Sequence, residues 1–333
     1  MEDSLIYVLG IDIGGTKCAV TLNEVMGNDI KILEKERFLT KIEVQENIDD
    51  LFEIIDKFLV KYSSVNVSCI GISCGGPLDS KSGVIICPPN LPNWINVPIV
   101  EIFQKKYNIP TFVQNDANAC ALAEWMWGAG QGTQNMIFLT FGTGMGAGLI
   151  LDGSLYSGTN DLAGEVGHIR VAEDGPVGFG KAGSFEGFCS GGGIKRLGQE
   201  LTAKWMANGE NVKFCKNFME LEELTAEKIS IAAQNGDEHA VEIFKIVGKR
   251  LGIGLGILID ILNPEKIVIG SIYARQTELI DKYMKDVLEE EVISFSRKVC
   301  EIVPAKLDEY IGDYATIAVA IYNLNKIKDR KKI

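Results

Sequence analysis

At 333 residues the chain is too long for a single small core, and the usual size of protein domains predicts two lobes. The composition, with 46% apolar and 23% charged residues, argues against disorder, and the net charge of −12 repels phosphate polymers, so we expect no nucleic-acid partner. Because the chain has no stretch of about 18 uncharged apolar residues and its eight cysteines are scattered without a CxxC pair, we expect no membrane partner, no disulfide framework and a cytoplasmic location.

The first third of the chain alternates between strand and helix patterns. An apolar run at 5–13 ends in glycines and is followed by a second apolar run at 18–22, which predicts a strand, a tight turn and a strand. Apolar residues at helical spacing then predict a helix over 47–62, and strand character returns at 67–73.

The rest of the chain continues the alternation, which predicts a mostly parallel sheet with helices on its faces. The predicted strands are 111–113, 136–140, 147–151, 266–269 and one near 302, and the predicted helices are 117–127, about 239–262, about 277–289 and 315–327. A strand, a glycine turn and a second strand occur in each half, which indicates a duplicated hairpin.

Two glycine turns are candidate phosphate loops, because a phosphate needs backbone N–H groups that no side chain covers. Gly14, Gly15 and Thr16 form the first, although a plain hairpin turn explains them equally well. The second comprises Gly142, Thr143, Gly144, Gly146 and Gly148, and Thr143 adds a hydroxyl for a terminal phosphoryl oxygen. Neither loop matches GxxxxGK[ST] or a dinucleotide-binding GxGxxG, so a Walker fold and a dinucleotide enzyme are disfavoured.

Asn115 and Asp116 lie where a predicted strand meets a predicted helix. Taken alone, Asp116 is explained by helix capping. Phosphoryl transfer to an alcohol, however, needs a carboxylate that takes the hydroxyl proton, and Asp116 can supply it beside two phosphate loops.

Recognition of a sugar needs groups that hydrogen-bond neighbouring hydroxyls. Glu165, His168 and Glu186 cluster in a glycine-rich segment, and Asn90 adds an amide that both donates and accepts. The other histidine, His239, is explained as an ordinary helix residue.

Seven segments in order, LGIDIGGTK, GISCGGPLD, PPNLPNW, VQNDANACALAE, LTFGTGMGAGLI, LAGEVGHIRV and NPEKIVIG, resemble the successive motifs of ROK-family sugar kinases. The resemblance implies an α/β, two-lobed ribonuclease-H-like fold of the actin and hexokinase superfamily, with a duplicated βββαβαβα core and with ATP and sugar bound in an interlobe cleft. The order of the motifs predicts a smaller lobe at 1–115, joined by a C-terminal helix at about 313–333, and a larger lobe at 116–312.

The resemblance also implies roles for individual residues, with Asp116 as the catalytic base. The implied sugar-binding positions are Gly75, Asn90, Asn115, Asp116, Glu165, His168 and Glu186. The implied nucleotide-binding positions are Asp12, Gly14, Gly15, Thr16, Lys17, Thr143, Gly144 and Gly270, with Gly270 in the region that flanks adenine. Mg²⁺ is expected to bridge the β- and γ-phosphates mainly through water, with Asp12 as an outer-sphere acid.

One departure from the family pattern concerns zinc. The family usually carries a zinc site in which the histidine of ExGH joins three cysteines of CxCGxxGC. The matching stretch here, GPVGFGKAGSFE, has Gly178, Gly180 and Ser184 where thiolates are expected, and the next cysteine lies beyond Glu186. Because structural zinc needs four nitrogen or sulfur ligands, we predict no metal at this site. The loop must then be held by packing of Phe179, Phe185 and Phe188.

The sequence therefore predicts ATP-dependent phosphorylation of the 6-hydroxyl of a hexose, with glucose as the first candidate. Gly75-Gly76 resembles acylhexosamine kinases, whereas the following Pro-Leu-Asp is glucokinase-like, so an N-acetylmannosamine or N-acetylglucosamine kinase and a fructokinase stay open. A non-catalytic sugar-binding sensor is the alternative from another class. The family implies a homodimer, and because the phosphate loop starts by residue 12, we expect no DNA-binding domain of the kind that family repressors carry.

Overall fold

The computed structural model describes residues 4–330, which form strands and helices in the alternation that the sequence predicts. The strands are β1 (Ile6–Ile13), β2 (Lys17–Met26), β3 (Asp29–Leu39), β4 (Val67–Cys74), β5 (Leu78–Asp79), β6 (Val84–Ile85), β7 (Thr111–Asn115), β8 (Met136–Phe141), β9 (Met145–Leu151), β10 (Ser154–Tyr156), β11 (Val177–Gly178), β12 (Lys181–Ala182), β13 (Lys266–Ile269) and β14 (Glu301–Pro304). The α-helices are α1 (Val44–Lys61), α2 (Ile99–Tyr107), α3 (Asp116–Trp127), α4 (Phe185–Phe188), α5 (Gly191–Ala207), α6 (Ala226–Gln234), α7 (Glu238–Leu262), α8 (Ile272–Glu291), α9 (Ser294–Val299) and α10 (Ile311–Arg330).

The first sheet has the strand order β3-β2-β1-β4-β7. β1 pairs with β2, and β2 with β3, in antiparallel register, whereas β4 lies parallel to β1 and to β7. Its central strands are almost wholly apolar because helices cover the sheet, and α10 crosses β1 and β4. Gly71 allows this crossing, since a Cβ there would collide with the backbone of Thr316.

The second sheet repeats the arrangement of the first, with the order β10-β9-β8-β13-β14. If the five strands of each sheet are numbered by their order in the chain, both sheets have the spatial order 3-2-1-4-5. β13 lies parallel to β8 and β14, and β10 pairs with β9 in antiparallel register. The predicted α/β fold class with a duplicated core is therefore confirmed.

The chain divides into two compact units. The first contains the described residues up to Gly132, Gly148–Ala163 and those from Lys306 on, and the second contains Thr133–Ala147 and Gly164–Ala305. The lobe limits drawn from the sequence stay a prediction. The structural units are divided differently along the chain, because α3 belongs to the first unit, and residues 1–3 and 331–333 of the predicted smaller lobe lie outside the described residues.

Most predicted elements are found within a few residues of their expected ends. The helix predicted at about 277–289 is longer, because α8 starts at Ile272 and continues through Gln276, whose φ of −130° is not helical. The elements β3, α2, α5 and α6 were not predicted from the sequence, nor were the shorter β5, β6, β10, β11, β12, α4 and α9. No helix within residues 4–330 has the length and apolarity that a membrane span requires.

Glu124 ties the end of α3 to the segment that leads into α10. Its side chain is fully buried, and Oε1 accepts from the N–H groups of Lys306 at 3.0 Å and Leu307 at 2.8 Å. Oε2 accepts from the N–H of Ala129 at 2.7 Å. A buried carboxylate with three backbone donors is stabilising only while all three are present.

We expect Glu124→Gln to lower the free energy of unfolding by about 2 kcal/mol, because the new NH₂ group faces a backbone N–H and leaves a buried donor without an acceptor. Denaturant unfolding measures the loss. Glu278→Gln, at an exposed position on α8, is the control and should change stability little. A Glu124→Gln protein as stable as the parent chain would contradict this account.

Candidate active site

The turn between β1 and β2 is the first predicted phosphate loop. The Gly14 N–H donates to the Lys17 carbonyl at 3.1 Å, and the Thr40 hydroxyl donates to the Gly14 carbonyl at 2.6 Å. A Cβ at Gly15 would lie 2.6 Å from the carbonyl oxygen of Asn90, so only glycine permits this approach. The structure therefore brings the turn together with Asn90, and the exposed Gly15, Thr16 and Lys17 remain accessible to a ligand.

Asn115, not Asp116, caps the helix that follows β7. The Asn115 side-chain oxygen accepts from the N–H groups of Ala117 at 3.0 Å and Asn118 at 3.3 Å. Asp116 Oδ1 accepts from the N–H of Ala117 at 2.8 Å, and the residue keeps its access to solvent. The capping role that the sequence left open for Asp116 is filled by its neighbour, which leaves the carboxylate available for chemistry.

Gln114 supports the junction of β7 and α3 from its buried side. It is 5% exposed, and its Oε1 accepts from the Asn115 N–H at 2.7 Å and from the Asn118 amide at 3.2 Å. The Asn115 Nδ2 faces Gly76, where a Cβ would lie 3.1 Å away. At Gly75 a Cβ would meet nothing within 4 Å, so open space adjoins this predicted sugar contact.

Asp12 and Asp116 form the acidic part of the first unit. Burial and, to a smaller extent, the charges of Asp116 and Asp313 raise the pKa of Asp12 to about 6, against the opposing charges of Lys35 and Arg37. Desolvation by surrounding protein atoms also raises the pKa of Asp116, against the opposing effect of its hydrogen bonds to backbone N–H groups. The accumulated negative charge fits an outer-sphere role of Asp12 toward Mg²⁺, because a divalent cation would compensate it.

The turn between β8 and β9 is the second predicted phosphate loop. The Gly142 N–H donates to the Gly144 carbonyl at 3.1 Å, and Thr143 is exposed at the tip. Glu186, a predicted sugar contact, accepts from the Met145 N–H at 3.1 Å, and a Cβ at Gly144 would lie 2.9 Å from its carboxylate. The second unit thus joins a phosphate loop to a candidate sugar ligand.

Glu165 and His168 lie on an exposed loop that packs beside Glu186. Glu165 immediately precedes the 3₁₀ turn Val166–His168, His168 is the last residue of that turn, and both side chains are exposed. A Cβ at Gly167 would lie 3.2 Å from the Glu186 Cβ, so the loop passes directly over that residue. The second unit therefore brings Glu165, His168 and Glu186 into one region, as the sequence predicts.

The loop that lacks the family's cysteines is held by packing and by a hairpin. Phe185 and Phe188 are buried at 0% and 3% exposure, as predicted, and the Arg250 guanidinium lies 5.3 Å from the centre of the Phe188 ring. The predicted packing role of Phe179 is wrong, because this side chain is 69% exposed and its ring contacts His168. Within residues 4–330, no three His, Cys, Asp or Glu side chains are grouped so that they could hold a metal ion.

A cavity of about 740 Å³ lies in the second unit beside the turn that carries Thr143. It is lined by Gly142, Thr143, Gly191, Gly192, Lys195, Thr225, Ala226, Glu227, Ser230, Ile231, Gln234, Ser271, Ile272, Arg275 and Gln276. The first turns of α5, α6 and α8 contribute to this wall, and helix N-termini favour anions such as phosphates.

Most of these lining residues were missed from the sequence. The run of three glycines that opens α5 could have indicated this part of the cavity from the sequence. In the structure the Gly191 N–H donates to the Gly142 carbonyl at 2.7 Å, which joins the run to the second glycine turn. The predicted Gly270 does not line the cavity, but the next residue does: Ser271 has a φ of 59° and faces Gly142. A non-glycine residue in this conformation is strained, which is common at binding sites.

Comparison with known proteins agrees with this arrangement. The sequence model of the ROK family matches residues 8–320. The chain belongs to the ROK family. A glucokinase of Halalkalibacterium halodurans is 31% identical over 292 residues, covering 85% of each chain, and a xylose repressor of Caldicellulosiruptor bescii is 30% identical over 327 residues, covering 95% of this chain and 78% of the repressor.

A solved structure of a ROK family glucokinase from Streptomyces griseus in complex with glucose and AMPPNP superimposes with a TM-score of 0.74 at 27% identity. The match covers 95% of this chain and 99% of that glucokinase. The ROK family thus places this chain among relatives named as sugar kinases and as repressors.

We expect Asp12→Asn to stabilise the protein at pH 8. Because the pKa of folded Asp12 is about 6 and the ordinary value is 3.8, its contribution to stability is present below pH 3.8 and is lost as the pH rises through 6. The substitution should raise the free energy of unfolding by about 2–3 kcal/mol at pH 8 and by much less near pH 4. Urea unfolding at both pH values measures the difference.

The control is Asp29→Asn at an exposed strand end, which should shift stability little at either pH. An equal effect of Asp12→Asn on the free energy of unfolding at both pH values would show that the charge of Asp12 does not destabilise the folded protein.

Proposed function

We propose that the protein is an ATP-dependent hexose kinase that transfers the γ-phosphoryl group to the 6-hydroxyl of glucose. The observation that carries the proposal is the junction of β7 and α3, where Asn115 satisfies the helix N-terminus and Asp116 is left accessible. Similarity to glucokinases along most of the chain supports it.

Asp116 is the proposed base that takes the proton of the attacking hydroxyl. A raised pKa makes the carboxylate a stronger base than an ordinary aspartate, and the hydrogen bond that it accepts from the Ala117 N–H restrains its orientation. Phosphoryl transfer needs little more from the protein than positioning and charge compensation.

Sugar hydroxyls are proposed to bind to Asn90, Asn115, Glu165, His168 and Glu186. Asn115 uses its oxygen for the helix cap, so its NH₂ group is the part that can donate to a hydroxyl. Glu186 also accepts from the Met145 N–H, which gives sugar binding a direct effect on the neighbouring phosphate loop.

ATP supplies the phosphoryl group, and its nucleoside is proposed to occupy the cavity beside Thr143. The N–H groups of the turn at Gly14 and Gly15 and of the turn at Thr143 and Gly144 would bind phosphate oxygens. Asp12 would hold the water shell of Mg²⁺. A cytoplasmic location, a homodimer and the absence of a nucleic-acid partner belong to the proposal and rest on composition and family resemblance.

Two kinds of alternative stay open. N-acetylmannosamine, N-acetylglucosamine or fructose could replace glucose as the acceptor. Similarity to a xylose repressor along 95% of the chain favours a sugar-binding regulator as the second class.

The test is ADP release from Mg-ATP by the purified protein with glucose, mannose, fructose, N-acetylglucosamine and N-acetylmannosamine. Stimulation by one sugar far above the sugar-free rate supports a kinase and identifies its acceptor. A sugar that raises the melting temperature without any ADP release would favour the regulator.

We expect Asp116→Asn to lower kcat about 100-fold or more, with a change in sugar affinity of less than about threefold, because the amide has the same size but cannot take a proton. Coupled ADP release gives kcat, and calorimetric titration gives the affinity. Asp29→Asn is the matched control and should leave both unchanged. Retained turnover in Asp116→Asn would assign the base elsewhere.

The rate should also depend on pH through Asp116. The base must be ionised, and its pKa is raised, so kcat/KM should increase with pH along a limb whose midpoint lies above 3.8. A profile of kcat/KM between pH 4 and 9 measures this limb. A flat profile in that range, or a limb that persists in the residual activity of Asp116→Asn, would contradict the assignment.

A further inference from the structure

We propose that the hairpin 177–182, formed by β11, β12 and the two residues between them, positions His168 for ligand binding in place of a bound metal. Phe179 holds the imidazole ring, and Lys181 holds the backbone carbonyl of the same residue. The kinetic part of this proposal rests on the proposed sugar kinase function, whereas the positioning itself does not.

His168 has little other support. The residue is exposed, and no residue in the described part of the chain donates a hydrogen bond to its imidazole or accepts one from it. Its ring lies edge-to-face with the ring of Phe179, with centroids 5.1 Å apart and an interplanar angle of 80°. The aromatic contact restrains the ring while both ring nitrogens stay free for a ligand's hydroxyl groups.

Phe179 has the left-handed conformation that a two-residue hairpin turn requires, since Gly180 beside it also has a positive φ, of 78°. Its φ of 43° is in the left-handed region, which is costly for a bulky side chain, and the side chain is 69% exposed. Burial therefore does not compensate for the strain. Glycine or asparagine would fit this turn with less strain, and what phenylalanine adds is the ring that contacts His168.

Lys181 restrains the same residue from the other strand of the hairpin. Its ammonium group donates to the carbonyl oxygen of His168 at 2.6 Å. Because Phe179 precedes this lysine by two residues around the tip, one short hairpin contacts both the ring and the backbone of His168. Two contacts from one rigid turn restrain position and orientation together.

The base of the hairpin is fixed to the helix that carries Glu186. Gly178 pairs with Lys181 across the hairpin, and the Ser184 hydroxyl donates to the Gly178 carbonyl at 3.4 Å. The same hydroxyl accepts from the Gly187 N–H at 3.1 Å. These bonds involve Ser184 and the base of the hairpin, so substitutions at Phe179 and Lys181 leave the support of Glu186 in place.

The residues present do not fit a zinc ion here. Gly178, Gly180 and Ser184 supply no thiolate, and Cys189 is buried with its thiol directed to the Val247 carbonyl at 3.7 Å. One imidazole without sulfur ligands cannot complete a tetrahedral site. An aromatic ring and an ammonium group hold His168 in this chain.

The first experiment uses the fact that the chain has two histidines. We compare the imidazole C–H signals of the parent protein and Phe179→Gly by NMR. Glycine tolerates a positive φ, so the variant removes the ring and relieves the strain without disturbing the fold. The His168 signal should move toward the position of a free imidazole, because it loses the ring current of Phe179.

His239 serves as the internal reference, since it packs on Trp205 with ring centroids 4.6 Å apart and contacts Glu210. An unmoved His168 signal in Phe179→Gly would overturn the proposal. A change in the His168 signal of the parent protein after addition of a zinc chelator would also overturn it. Neither result depends on the protein being a kinase.

The second experiment measures sugar binding and turnover. Phe179→Gly should raise the sugar KM or Kd about fivefold, the factor for an aromatic contact of about 1 kcal/mol, while the melting temperature is unchanged or higher. Phe179→Tyr keeps the ring and should bind sugar as the parent protein does. Phe295→Gly, at an exposed phenylalanine of α9, is the matched control and should leave KM unchanged.

A double-mutant cycle separates positioning from general damage. In a His168→Ala background, Phe179→Gly should add no further loss of sugar affinity, and Lys181→Met should behave in the same way. Full, additive losses would show that the hairpin acts independently of His168. If the NMR signal moves as expected but no sugar binds to any variant, the proposed function is wrong and the positioning role stands.

Discussion

The four N–H groups at the start of α3 need acceptors, and the way they are satisfied decides whether Asp116, the candidate base, serves as the helix cap. Asn115 supplies its side-chain oxygen to two of them, and Gln114 holds Asn115 in place from a buried position. Asp116 is then the first residue of the helix and not its cap. Its carboxylate combines solvent access, a fixed orientation and a raised pKa, the properties that a general base requires.

In each unit a glycine allows a candidate phosphate loop to lie against a candidate sugar-binding residue. Gly15 lies against the backbone of Asn90, so the first phosphate turn contacts a sugar candidate. In the second unit, Gly144 and Met145 lie against the carboxylate of Glu186. In both cases a side chain at the glycine would push a candidate phosphate loop away from a candidate sugar-binding residue, so these glycines permit a close approach as well as a turn.

Buried charge and backbone strain both occur at or beside the candidate ligand-binding residues. Asp12 is destabilised in its charged form by burial and by neighbouring carboxylates, a cost that a bound cation would offset. Ser271 and Phe179 adopt left-handed conformations, the first at the edge of the large cavity and the second against His168. Strain of this kind persists where the surrounding structure enforces it, and here it coincides with the residues proposed to bind ligands.

The sequence by itself determined the fold class, most strands of the two five-stranded sheets, the helices α1, α3, α7, α8 and α10, and the positions of the two glycine turns, because hydrophobic periodicity and glycine runs are local signals. It also determined that the loop 174–186 has no thiolate. Only the tertiary structure decided that Asn115 is the cap, that Gln114 supports it, that residues of α5, α6 and α8 line one cavity, and that Phe179 contacts His168 and not the core. These facts depend on residues distant in sequence or on side-chain directions, and the spacing of residue types along a chain carries neither.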